Sequence, residues 1–182
     1  MSVVIADRFI SRSRATDVAL VAGGALITAV AAQIQIPMFP VPMTMQTFAV
    51  LLVGAALGAS RGALSMSLYL LLGAIGMPVF AGAKTLTGVL PTAGYLVGFV
   101  AAAAVIGYFA SKGFTKNALK LALTLSLGTV VIYAFGVSGL MLTLGLTLPQ
   151  ALAGGVAPFL IGDAVKAVAA AALLPAIWKF LK

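Results

Sequence analysis

The sequence contains no cysteine, no histidine and no glutamate, and its only acidic residues are Asp7, Asp17 and Asp163. Without cysteine there is no disulfide framework and no thiol chemistry. Without histidine, His-ligated metal sites and His general bases are excluded. Asp7 and Asp17 both sit in the basic N-terminal stretch, so a hydrolase built on paired carboxylates has nothing to work with. The tetrapeptide Gly82-Ala83-Lys84-Thr85 is only superficially similar to a phosphate loop. The full G-x-x-x-x-G-K-[ST] pattern is missing, as are the strand and helix it needs, so this chain cannot hydrolyse ATP itself. With no nucleophile–base pair, metal cluster or cofactor motif, an enzyme is the poorest reading.

Charge of either sign is scarce, at 8% of 182 residues, against about 25% in soluble domains. What is abundant is apolar: 63% hydrophobic residues and a mean hydropathy of +1.21. The apolar runs are long enough for spanning helices rather than barrel strands. This composition predicts an all-α integral membrane protein, a compact bundle of six transmembrane helices forming one domain. Residues 1–14 make a basic tail and 15–182 make the bundle. The net charge of +8 reads as membrane orientation, not as affinity for nucleic acid.

In chain order, the first helix is expected over Thr16–Ile36. Its Ala25 and Ala29 form a small-xxx-small pair that lets another helix approach closely, although alanine is also common in any membrane helix. The stretch Gln33–Thr47 breaks the pattern, because Pro37, Pro40 and Pro42 cannot share a regular helix. Gln33, Gln35, Thr44, Gln46 and Thr47 stand beside Ile34, Ile36, Met38, Phe39, Met43 and Met45. Such an apolar loop is expected to fold over or into the bundle. Two short helices follow, Gln46–Ala59 and Gly62–Gly76, with Arg61 in the turn between them. Met77–Pro91 is a second irregular connection, containing Pro78, Gly82, Lys84, Gly88 and Pro91. The fourth helix runs over Thr92–Ser111, and the fifth follows the basic turn at Lys112, Lys116 and Lys120 and extends to Leu144. After Gly145–Pro149 the sixth runs to Phe180, interrupted near Gly154, Gly155 and Pro158.

With both termini cytoplasmic, every basic residue except Lys84 and Lys166 falls on the cytoplasmic side, as the positive-inside rule requires. Lys166 and Asp163 are three residues apart in the outer half of the sixth helix and can share one face. A charge at the centre of a span costs about 2.5–3.5 kcal/mol on insertion scales, and such residues are functional by default. A small-molecule site under the two irregular connections is therefore expected. A structural ion pair that neutralises itself is the plainer alternative. Lys84 suits either a ligand anion or a solvated loop. Thr92 and Tyr95, at the outer start of the fourth helix, are candidate neighbours of a ligand, although a lone Tyr at that depth also serves as an interfacial anchor.

Several motifs together resemble a known family. Ala32-Gln33-Ile34-Gln35-Ile36-Pro37, then Pro40-Val41-Pro42-Met43-Thr44-Met45-Gln46-Thr47, is similar to the first loop of BioY-type biotin transporters, the substrate-binding S components of energy-coupling factor (ECF) transporters. The resemblance continues through Tyr69–Gly76, Pro78-Val79-Phe80-Ala81-Gly82, Pro91–Phe99 and Pro158–Lys166. It implies a bacterial plasma-membrane subunit that binds biotin on its outer side, without a cofactor. It places Asp163 and Lys166 on the ligand and Tyr95 in the pocket lining, with Gln46, Phe80, Thr92 and Gly94 on the matching motifs. It also implies that Ala25 and Ala29 dock on a transmembrane coupling subunit, with two ATPase subunits driving a toppling motion. The chain departs from the pattern at Ala93, where the family commonly has Gly. It departs again at Leu96, where some members carry an Arg for the biotin carboxylate. Lys84, in place of a neutral residue, is expected to join Lys166 in meeting that carboxylate. A facilitator acting alone, an S component for another vitamin, or a purely structural membrane subunit are the competing readings.

Overall fold

The computed structural model describes residues 4–11, 13–86 and 90–180, with side chains up to residue 174. Arg12, Gly88 and Lys182 lie outside the described residues, as does the side chain of Lys179. The elements are α1 (Ala6–Phe9), α2 (Arg14–Gln33), β1 (Gln35–Ile36), β2 (Met43–Thr44), α3 (Gln46–Leu57), α4 (Ala59–Ala74), α5 (Ala93–Ser111), α6 (Ala118–Leu144), α7 (Leu148–Gly155) and α8 (Leu160–Phe180). Short 3-10 turns at Phe114–Lys116 and Ala157–Phe159 precede α6 and α8.

Local chemistry sets most of these boundaries. Ser13 and Thr16 form a reciprocal capping box at the start of α2, and Asp17 in the first turn complements the helix dipole. Three prolines then stop the helix, and the chain returns as a two-residue antiparallel hairpin pairing Gln35 with Thr44 and Ile36 with Met43. Gly58, at φ +83°, makes the sharp joint between α3 and α4, a conformation that residues with a Cβ rarely adopt. Asn117 caps α6 by accepting from Lys120 N at 3.0 Å. The break expected near Gly155 and Pro158 is present, and it separates α7 from α8.

Helix α5 is the centre of the bundle, packed against α3, α4 and α6. Small residues permit this. A Cβ on Gly94 would lie 2.8 Å from Gly139 Cα of α6. A Cβ on Gly107 would run into the backbone of Gly58 and Ala59. Outward-facing Leu26, Ile27 and Val30 of α2 and Ile161, Val165 and Val168 of α8 are all more than half exposed, the pattern of helices facing lipid. Helices α2, α5, α6 and the stretch Leu148–Leu174 are each long and apolar enough to cross a membrane. The 12-residue α3 reaches only about 18 Å at 1.5 Å per residue.

The N-terminal stretch differs from the expected tail. Val4, Ile5 and Ala6 are buried, and α1 packs on α3. Arg61 donates to Asp7 Oδ1 at 2.7 Å and to Asp17 Oδ1 at 2.8 Å through Nε. A single guanidinium thus ties α1 and α2 to the start of α4, because its planar fork can serve two carboxylates at once.

The close approaches yield a direct contrast. Gly107→Ala should destabilise the bundle by about 1–3 kcal/mol through overpacking. Gly23→Ala has open space around it and should be neutral or stabilising by up to about 1 kcal/mol. Thermal unfolding in detergent measures both, and equal stability of the two variants would contradict the packing described.

Candidate functional site

At the end of the bundle remote from Arg61, a small cavity lies beneath the hairpin, between the starts of α3, α5 and α8 and the middle of α6. Its volume is about 40 Å³, well below the roughly 300–1,000 Å³ of small-molecule pockets. Most of the lining is apolar, from Val41, Leu96, Phe99 and Phe159. The polar groups converge on one pair.

Asp163, 5% exposed, and Lys166, 9% exposed, are joined by a 2.9 Å bond from Nζ to Oδ1. The same carboxylate oxygen accepts from Thr47 Oγ1 at 3.0 Å, and Oδ2 accepts from Tyr133 OH at 2.6 Å. Lys166 also donates to the Thr44 carbonyl at 2.7 Å and to Thr47 Oγ1 at 3.0 Å. An ammonium has three donors and a carboxylate about four lone-pair positions. Lys166 is therefore saturated, while Asp163 keeps room for one more donor. The first turn of α8 holds Asp163, where the helix dipole favours an anion.

The broken helix is what brings this pair to the cavity. Ending α7 at Gly155 frees a backbone carbonyl, and Tyr95 OH donates to it at 2.6 Å. Freed backbone groups within an apolar bundle need such partners. Tyr95 thus lines the cavity and at the same time secures the break. Gln46 donates to Tyr69 OH at 2.7 Å and accepts from Thr44 Oγ1 at 3.0 Å, fastening the hairpin exit to α4.

Of the residues singled out in the sequence, Asp163, Lys166, Tyr95, Thr92 and Gln46 line the cavity together. Lys84, Phe80 and Gly94 do not. Lys84 is exposed on the α4–α5 connection, where its carbonyl accepts from Phe80 N at 3.0 Å. Phe80 is 2% exposed and packs edge-on against Tyr69 at 5.3 Å; it anchors that connection instead. Gly94 is a spacer between α5 and α6. Ala25 is 1% exposed and Ala29 only partly buried. The face of α2 that carries Gly24, Ala25, Thr28 and Ala32 packs into this chain's own core, so Ala25 offers no free docking surface. Tyr133 is a member of the site that sequence reasoning misses. Its signal is a hydroxyl far from either end of the 27-residue α6, where an interfacial anchor has no use.

Residues 6–182 match the BioY family. A biotin transporter BioY of Rhizobium etli is 40% identical over 149 residues, covering 77% of this chain and 79% of that protein. The chain belongs to the BioY family. A biotin transporter BioY of Thermotoga maritima is 42% identical over 147 residues, covering 78% of this chain and 83% of that protein. The crystal structure of the S-component for biotin from an ECF-type ABC transporter superposes with a TM-score of 0.77 at 24% identity, covering 93% of this chain and 95% of that one. The six-segment arrangement α2, α3, α4, α5, α6 and α7–α8 is thus a BioY-like fold.

The saturation of Lys166 gives a stability prediction. Lys166→Met leaves a buried carboxylate without its cation and should cost about 3–5 kcal/mol. Combining it with Asp163→Leu should recover much of that loss. Unfolding of the single and double variants measures the coupling, and simple additivity would show that the two groups do not depend on each other.

Proposed function

We propose that this protein binds biotin between the hairpin and α8 and is the substrate-specific subunit of an ATP-driven uptake system in a bacterial plasma membrane. The observation that carries this reading is the Asp163–Lys166–Thr47–Tyr133 cluster, the polar focus of a cavity in a BioY-family chain. Biotin has a ureido ring with N–H donors and a carbonyl acceptor. The open acceptor position of Asp163 suits the N–H groups. Lys166, bonded to that same carboxylate, suits the ureido carbonyl in place of the biotin carboxylate expected from the sequence, once it exchanges a protein acceptor for the ligand's.

Admission of a molecule of that size to a 40 Å³ cavity requires the hairpin to move, and the Lys166–Thr44 bond is the contact that yields. Ligand and hairpin carbonyl compete for one ammonium, which couples occupancy to loop position. In this reading the cavity faces outward, and Arg8, Arg14, Arg61, Lys112, Lys116 and Lys120 mark the cytoplasmic side together with both termini. Energy comes from ATPase partners through a coupling subunit. That subunit docks on the exposed face of α2 around Gly23, since Ala25 is already occupied by the bundle. Lys84 reaches the ligand carboxylate only from outside the cavity described above.

Calorimetric titration of the purified protein with biotin and desthiobiotin tests the reading. Stoichiometric binding is expected, and Asp163→Asn should weaken it by about tenfold to a hundredfold, the value of one charge-assisted hydrogen bond. Lys84→Ala should cost less than that. A folded wild-type protein that takes up no biotin would leave an S component for another vitamin or a structural membrane subunit as the reading.

A further inference from the structure

The end of the bundle opposite the cavity carries a charged feature that ligand binding does not use. At the α5–α6 turn, Lys112, Lys116 and Lys120 are all exposed. The acidic side chains of the described residues are engaged elsewhere: Asp7 and Asp17 hold Arg61, and Asp163 holds Lys166. Lys112 and Lys120 meet aromatic faces instead. Lys112 Nζ stands 5.4 Å from the Tyr108 ring centroid, and Lys120 Nζ stands 5.4 Å from that of Phe114.

Those two rings belong to one continuous rib. Tyr108 contacts Phe109 with centroids 5.4 Å apart, and Phe109 contacts Phe114 at 5.2 Å. Gly113, at φ +86°, turns the chain so that Phe114 folds back onto Phe109. The result is two ammonium groups at opposite ends of a three-ring platform, with Tyr108 53% exposed. Aromatic side chains of this kind sit at the headgroup level of a bilayer. Beyond the platform, along α6, Leu119 and Leu123 lie one turn apart and are 69% and 63% exposed. They begin an apolar track down a helix long enough to cross the membrane.

We propose that this turn is a binding site for an anionic glycerophospholipid, its headgroup drawn by the positive charge of Lys112 and Lys120 and an acyl chain lying along Leu119 and Leu123. The charge selects the anionic headgroup, and paired lysines beside a span attract such lipids. The apolar track selects a lipid over a soluble phosphate. A soluble protein partner is less well matched, since the track continues into the membrane-spanning part of α6 and not onto a soluble surface.

The test uses the intact protein in a neutral maltoside detergent, with native mass spectrometry and thermal unfolding as readouts. Phosphatidylglycerol should be retained and should raise the unfolding temperature, whereas phosphatidylcholine and soluble glycerol phosphate should do neither. Lys112→Gln with Lys120→Gln should weaken phosphatidylglycerol retention about tenfold or more, while Lys112→Arg with Lys120→Arg should preserve it. Both lysines are exposed, so these substitutions should leave the lipid-free unfolding temperature nearly unchanged. Equal retention by the glutamine variant, or equal retention of phosphatidylcholine by the wild type, would overturn the assignment. Stabilisation by glycerol phosphate alone would replace the lipid with a free phosphate. If the glutamine variant did not fold, the comparison of the two lipids on the wild type would still decide. Biotin binding plays no part in any of these outcomes.

Discussion

One ammonium group organises the far end of this molecule. Lys166 sits in the first half of a lipid-facing helix, where an unpaired charge is costly, and each of its three protons has a named acceptor. One acceptor is Asp163 on the same helix. The other two, the Thr44 carbonyl and Thr47 Oγ1, belong to the hairpin and the start of α3, more than a hundred residues earlier in the chain. Neutralising the charge and closing the loop over the cavity are therefore the same set of bonds. A buried pair of this kind is weak evidence for stability, since desolvation offsets much of the attraction. Its retention makes better sense as a device whose bonds can be exchanged.

The remaining architecture keeps that device in register. Glycines let α5 come close to α6 and to the α3–α4 joint, which fixes Tyr95 and Tyr133 in the cavity lining. The break between α7 and α8 turns Asp163 inward, and the Tyr95 hydroxyl satisfies the carbonyl that the break exposes. Gln33 performs the analogous task for the other connection, donating to the Phe80 carbonyl at 3.2 Å and accepting from Ala83 N at 3.2 Å. At the opposite end, Arg61 gathers α1, α2 and α4. Polar side chains are few, and Gln33, Arg61, Tyr95 and Lys166 each join elements that are distant in sequence.

Much of this architecture is legible in the amino-acid sequence. Helix order, the short second and third segments, the proline-broken loop and the interrupted last helix all follow from apolar run length and from where proline and glycine fall. Asp163 and Lys166 are conspicuous because ionisable residues are rare in such surroundings. The differences between expectation and fold share one cause. Spacing on a helix reveals which residues lie on the same face, but not which neighbour that face meets. Ala25 and Ala29 do share a face of α2, and the part carrying Ala25 points into the protein's own core. Phe80 and Lys84 lie in the right connection, yet an edge-on contact with Tyr69 draws Phe80 inward and leaves Lys84 outside the cavity. The N-terminal residues read as a tail, because nothing local marks Asp7 as a partner of a residue 54 positions away.

Composition and local pattern are enough to establish a helical membrane protein, the places where its helices break, and an intramembrane acid and lysine that must be paired or put to use. Those conclusions rest on local chemistry: backbone hydrogen bonding in an apolar medium, the geometry of proline and glycine, and the cost of burying charge. The three-dimensional packing adds that the pair holds the hairpin as well as itself, and that Tyr133 donates to the carboxylate's second oxygen. It also sets which face of α2 remains free. These features depend on contacts between segments far apart in the chain, and such contacts leave no periodicity in the sequence to be read.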